Sequence, residues 1–136
     1  MSDMHISFAD AATSRRALVV EDESLIAMYL ADLLQETGFE VATTVTAAET
    51  LELVRHHDSF SVAFIDLDLP DSTGLELISH LKKIDPALPI VIASGYGAMA
   101  RRDHTGDATQ SLVLAKPYER KDVFKLLKTL GFHLPS

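Results

Sequence analysis

The stretch AFIDLDLPDSTG, residues 63–74, places three acidic side chains, Asp66, Asp68 and Asp71, within six positions. The apolar run before them stops abruptly at Asp66, and Pro70 and Gly74 mark a sharp turn. Two more carboxylates, Glu21 and Asp22, end another apolar run, ALVV at 17–20. Ser94 ends a third, IVIA at 90–93, and Lys116 follows a fourth, LVL at 112–114. If these groups converge, the carboxylates repel one another, and one must take up a proton unless a cation intervenes. Mg2+ suits such a site, because it favours a few carboxylates completed by waters and phosphate oxygens. A lysine and a hydroxyl beside a cation-bound carboxylate describe a site for a phosphoryl group. Aspartate can attack phosphorus and carry the group covalently, with the cation and the lysine neutralising charge in the transition state.

Convergence requires that all four runs end at one edge. Residues 24–37 carry Ile26, Tyr29, Leu30, Leu33 and Leu34 at helical spacing, with Gly38 as the cap. FEVAT at 39–43 alternates like a strand with one exposed face. Thr46 and Glu49 form a capping-box pattern that opens a helix running to about His56. SVAFI at 61–65 reads as a buried strand, and 74–84 as a helix with Leu75, Ile78 and Leu81 on one side. Pro86 and Pro89 stop it, IVIA and LVL are further strands, and 122–130 is a last helix. Its inner stripe is Val123, Leu126, Leu127 and Leu130, and Gly131 closes it. Residues 95–111 hold few apolar anchors, so a fourth helix there is expected to be short or loosely packed.

Strands alternating with helices predict an α/β fold with a parallel sheet covered on both faces. Strands buried on both sides read as near-continuous apolar runs, as these do. The expected arrangement is a doubly wound, flavodoxin-like (βα)5 sheet in the order 2-1-3-4-5, with its site at the strand C-termini. Strands 1 and 3 then lie about 4.8 Å apart, which brings Glu21 and Asp22 to Asp66.

LVVEDE, FIDLDLPDSTG, SG and KP, in this order and at these spacings, resemble the receiver domain of bacterial two-component response regulators. The resemblance covers 17–131, leaving 1–16 and 132–136 as tails. It implies that Asp66 is the phosphoacceptor and that Asp22 binds Mg2+ directly. Glu21 would bind it directly or through water, and Asp68 through its backbone carbonyl. Ser94 and Lys116 would turn to the phosphoryl oxygens, and the Lys116–Pro117 bond would be cis. The implied partners are a histidine kinase or a histidine phosphotransfer protein, and an unknown output protein. No output module follows the last helix, so a stand-alone receiver is expected, although a receiver detached from a hybrid histidine kinase would read the same way. Two departures stand out. Val113 occupies the place of the usual switch aromatic on strand 5, and ASGYG puts Tyr96 two positions after Ser94. Tyr96 and the segment at 95–111 are therefore expected to carry the switch with Ser94.

The resemblance implies a signalling phosphoacceptor that is not a true enzyme, and length and composition bound the chain further. A chain of 136 residues fits one domain. A net charge of −8 argues against direct nucleic-acid binding. No apolar run is long enough to span a membrane, and MSDMHISFADAATSRR lacks the apolar core of a leader, so a cytoplasmic protein without membrane insertion is expected. The absence of cysteine excludes disulfide and thiolate chemistry. Homodimerisation is left open.

Blander readings exist for each residue. Glu21 and Asp22 could only cap a helix, Asp68 and Asp71 are also turn formers, and Asp71 is not expected to be a metal ligand. Ser94 alone would be an ordinary strand-end serine, and Lys116 alone a surface lysine. His56 and His57, Arg101 and Arg102, Glu119 to Lys121, and Glu23 are expected to face solvent. A phosphatase of the haloacid-dehalogenase type also uses an Asp-x-Asp motif, which Asp66 and Asp68 fit. That motif belongs after the first strand, however, and here it follows the third.

Overall fold

The computed structural model describes residues 15–56, 59–95 and 111–134. Along the chain run β1 (Arg15–Val20), α1 (Ser24–Glu36), β2 (Phe39–Thr44), α2 (Ala47–His56), β3 (Val62–Asp66), α3 (Gly74–Ile84), β4 (Ile90–Ser94), β5 (Ser111–Ala115) and α4 (Arg120–Thr129). The five strands form one sheet in the order β2-β1-β3-β4-β5. Every neighbouring pair is parallel, so all strand C-termini reach the same edge. The expected order 2-1-3-4-5 is the one found. Tyr96, Arg101 and Arg102, with the helix expected in that segment, lie outside the described residues, as do His57 and residues 1–14 and 135–136.

Successive side chains of a strand point to opposite faces, and here both faces are buried. Ala17, Val19, Phe64, Val91 and Leu114 pack on one side with Leu30, Leu33 and Leu34 of α1 and Val123, Leu126 and Leu127 of α4. Leu18, Val20, Ala63, Ile65 and Ile90 pack on the other with Leu77 and Leu81 of α3. The strands are thus fixed from both sides, which makes their C-terminal edge a rigid platform.

The helices differ from expectation in which residues face inward. In α3 the buried stripe is Gly74, Leu77 and Leu81, while Leu75 is exposed. The three lie at helical spacing on one face, and Leu75 is about 100° around the helix from Gly74. In α1 Ala27 joins Leu30, Leu33 and Leu34 inside, and Tyr29 stays at the rim with 43% of its surface exposed.

Several ends also shift. β1 starts two residues before the apolar run, because Arg15 and Arg16 pair with Phe39 and Glu40 of β2. The Arg15 guanidinium lies 5.5 Å from the centroids of both Phe39 and Phe132. The helix expected to begin at Asp122 begins at Arg120, with the Glu119 amide donating to Asp122 Oδ2 at 2.8 Å. Gly38 and Gly131 follow their helices with φ of +96° and +98°, as helix-ending glycines do. After α4, the Phe132 amide donates to the Leu127 carbonyl and the Gly131 amide to the Lys128 carbonyl. This closing turn folds Phe132 back, and Phe132 and Leu134 pack on the core rather than forming a tail.

Candidate functional site

Each chemistry-bearing residue sits at or just after a strand C-terminus, and the sheet ladder reaches past the strands to hold it. The Glu21 amide donates to the Thr44 carbonyl at 3.0 Å, and the Lys116 amide to the Ser94 carbonyl at 2.8 Å. The side chains then converge. Carboxylate oxygens of Glu21, Asp22 and Asp66 all lie within 4.8 Å of one another. Lys116 Nζ is 2.8 Å from Glu21 Oε1 and 3.5 Å from Asp66 Oδ1. Glu21 and Asp66 are buried, and Asp22 is exposed at the rim, so the cluster opens toward solvent on the Asp22 side.

This crowding has a clear electrostatic signature. Burial, and then the neighbouring Asp66, push the Glu21 carboxyl up from 4.5 to about 7, against the pull of its hydrogen bond to Lys116. Burial opposes the Lys116 charge, but the Glu21 hydrogen bond and the fields of both carboxylates outweigh it, and its pKa lies above the ordinary lysine value. One ammonium serves two carboxylates. The lysine therefore keeps its proton, and Glu21 readily keeps one as well. A donor set of clustered carboxylates, short of positive charge and open on one side, fits a hard divalent cation that retains waters.

The loop after Asp66 is held at several points. The Asp68 amide donates to Asp66 Oδ1 at 3.1 Å, fixing the acceptor carboxylate. The Gly74 amide donates to the Leu67 carbonyl at 2.8 Å. Only glycine fits there, since a Cβ would lie 2.5 Å from the Asp66 carbonyl oxygen and 2.7 Å from Leu67 Cα. Thr73 caps α3, accepting from the Glu76 amide at 3.1 Å while the Glu76 carboxylate reaches back to the Thr73 amide. Asp71 has the least expected partner. Its two carboxylate oxygens accept from the Ala47 and Ala48 amides of α2 at 2.8 and 3.1 Å. These bonds hold its pKa below the usual aspartate value. Thr46 Oγ1 accepts from the Glu49 amide at 3.0 Å, but the Glu49 carboxylate reaches the Val45 amide rather than that of Thr46. Asp71 thus completes the cap that the capping-box pattern leaves unfinished.

Around the cluster, Ser94 Oγ is buried without a hydrogen-bond partner. The Lys116–Pro117 bond is cis. Val113 is partly buried against Leu67 and Ile92. His56 Nδ1 bonds back to the Glu52 carbonyl of its own helix, and Glu23 is exposed. Two features lie beyond what the residue pattern signals: the Asp71 bridge, which spans more than twenty residues, and the buried Tyr118 hydroxyl, likewise without a partner. An acidic residue in a turn facing a helix start is the only hint of the first, and a polar aromatic next to KP the only hint of the second.

Comparison with known proteins agrees with this geometry. Residues 17–128 match the family model described as the response regulator receiver domain. The chain is 32% identical over 130 residues to the photosynthetic apparatus regulatory protein RegA of Rhodobacter capsulatus, covering 94% of this chain and 69% of RegA. It is 28% identical over 109 residues to the response regulator receiver protein CpdR of Brucella abortus, covering 80% of this chain and 90% of CpdR. Among solved structures, a CheY-like receiver domain protein from Methanospirillum hungatei superposes with a TM-score of 0.77 at 27% identity, covering 85% of this chain and 92% of that one. With a family match over most of its length and the same fold as its relatives, the chain belongs to the response regulator receiver family of two-component signalling.

Proposed function

We propose that this receiver is a phosphorylation-dependent switch in which Asp66 accepts a phosphoryl group from a histidine kinase or a histidine phosphotransfer protein. The observation that carries the reading is the meeting of Glu21, Asp22 and Asp66 under a single lysine, with Lys116 Nζ 2.8 Å from Glu21 and 3.5 Å from Asp66. Asp66 is rigidly held, and an oxygen of its carboxylate forms the bond to phosphorus. The donor's leaving atom departs with the electron pair of its bond to phosphorus. Lys116, already between the two buried carboxylates, turns to a phosphoryl oxygen, and Ser94 Oγ, free of other bonds, donates to another. Glu21, Asp22 and Asp66, with the Asp68 carbonyl, are the groups that would hold Mg2+, which when bound offsets the charge of the phosphoryl oxygens. Attack of water on phosphorus returns the carboxylate and ends the signal.

The added group brings about 1.5 to 2 negative charges into a site already short of cations. Ser94 and Lys116 are drawn toward it, and the surface near β4 and β5 shifts to change binding of an output partner. This makes the protein a signalling phosphoacceptor that assists its own phosphorylation and dephosphorylation rather than an enzyme acting on an external substrate. A phosphatase reading of Asp66 and Asp68 finds no support, because Asp66 closes β3 and a separate acid pair follows β1.

The test is incubation with acetyl phosphate and Mg2+, followed by intact-mass measurement. A single phosphoryl adduct is expected, lost in Asp66→Asn and on chelation. If no adduct forms and beryllofluoride with Mg2+ does not bind either, the proposal fails.

A further inference from the structure

The carboxylates of the site come from two strands, Glu21 and Asp22 from just after β1 and Asp66 from the end of β3. One cation reaches them all only while the two strand ends keep their spacing. The first turn of α2 touches both sides of that gap.

On the β1 side, the Glu21 amide donates to the Thr44 carbonyl at 3.0 Å. The Thr44 hydroxyl lies 2.6 Å from that of Thr50 in α2. Thr50 Oγ1 gives its one proton to the Thr46 carbonyl at 2.7 Å, so Thr44 is the donor between the two. Both threonines are buried, where a hydroxyl without a partner is costly, and the end of β2 is thereby pinned to the start of α2. On the β3 side, the Asp68 amide holds Asp66 Oδ1 at 3.1 Å, and a bridge between Asp68 and Thr73 closes the stem of the loop. At the far end of that loop, Leu69 packs on the cluster that contains Ala47, and Asp71 accepts from the Ala47 and Ala48 amides at 2.8 and 3.1 Å.

The start of α2 depends on this loop. The amides of a helix's first turn lack partners within the helix. The Glu49 amide donates to Thr46 Oγ1 at 3.0 Å, and the Thr50 amide donates to the Thr46 carbonyl at 3.1 Å, so these two are met locally. The Ala47 and Ala48 amides are met by Asp71, from across the site.

We propose that the first turn of α2 is a brace across the acidic site, and that Asp71 is the positioning residue that closes it, setting the Asp66–Asp68 loop against Glu21. Asp71 holds no cation itself and acts through Asp68 and Asp66. Coupling of this kind is reciprocal. A cation that fixes the loop also seats Asp71 on α2, and loss of Asp71 loosens the hold on the cation. This inference rests on the phosphoacceptor reading, which supplies the cation.

The test titrates the chain with Mg2+ and follows amide signals and amide exchange by NMR. In wild type, Mg2+ should slow exchange at Ala47 and Ala48 more than at Glu49, whose acceptor lies beside it on Thr46. Asp71→Ala should bind Mg2+ about 5-fold more weakly. Asp71→Asn, which loses the charge but keeps one acceptor oxygen, should fall between the two. Thr46→Ala removes the local cap and leaves the brace, so it should melt lower yet bind Mg2+ as wild type does. Equal slowing at Ala47, Ala48 and Glu49 would overturn the inference, since Mg2+ would then stabilise only the fold as a whole. So would wild-type affinity in Asp71→Ala, or an equal loss in Thr46→Ala. Equal losses in Asp71→Asn and Asp71→Ala would overturn it too, as the effect of charge alone. If neither variant at position 71 folds, the wild-type exchange pattern decides. Failure of wild type itself to bind Mg2+ is the separate result that removes the metal site and this inference with it.

Discussion

Glu21 concentrates the electrostatics of the site. Its pKa of about 7 lies above the ordinary 4.5, chiefly because it is buried and next because Asp66 adjoins it. A carboxyl raised on folding stabilises the fold while it is protonated, so its contribution is complete below about pH 4.5 and is lost as pH rises through about 7. The loss is at most about 3 to 4 kcal/mol. In chelator, the melting temperature of wild type should fall between about pH 4.5 and 7, the range of that loss, and Glu21→Gln should lack that slope. With Mg2+ the sign reverses, since the cation competes with the proton. Mg2+ affinity should rise across the same range, and a flat profile would contradict the assignment. The residues that meet here were legible because each ends an apolar run. Tyr118 was not, because a buried hydroxyl lacking a partner is a property of packing and not of residue order.

Between the residues and the sheet stands the loop from Asp66 to Gly74, tied to two helices at once. Gly74→Ala would press a Cβ against the Asp66 carbonyl and Leu67. It should cost about 1–3 kcal/mol, as forced overpacking does, and weaken Mg2+ binding, both readable by denaturation and titration. Asp71→Ala should leave the Ala47 and Ala48 amides without acceptors, and their hydrogen exchange should quicken while that of the α3 amides does not. Unchanged exchange at Ala47 and Ala48 would show that the bridge does not form in solution. Element types and order were readable from apolar period and punctuation. Faces and ends were less so. Leu75, Ile78 and Leu81 fit a helical stripe as well as Gly74, Leu77 and Leu81 do, and only the position of the sheet chooses between them. The start of α4 moved to Arg120 because Glu119 and Asp122 make a cap from two acidic residues. The Thr46 pattern marked the right helix start, but the partner of its free amides came from another loop.

For the whole molecule, the doubly wound sheet in the order 2-1-3-4-5 followed from alternating strands and helices. The reach of β1 back to Arg15 did not, because two arginines give no apolar signal and are held by rings from distant parts of the chain, Arg15 by Phe39 and Phe132 and Arg16 by Phe60. A ligand that binds only the folded chain stabilises all of it. Mg2+ at 100 times its dissociation constant should therefore add about 2.7 kcal/mol to the unfolding free energy, seen as a rise in melting temperature. Asp22→Asn, at the open rim of the cluster, should abolish most of that rise. A rise of equal size in the variant would place the ion elsewhere.

The Arg15 contact with Phe132 has one more consequence. It draws the first and last described stretches together at the strand N-termini, the edge opposite the carboxylates. The described chain therefore enters at Arg15 and leaves at Leu134 on the side of the sheet away from the acidic pocket. A copy held at either of these points should present its acidic pocket outward, free for an incoming donor to approach.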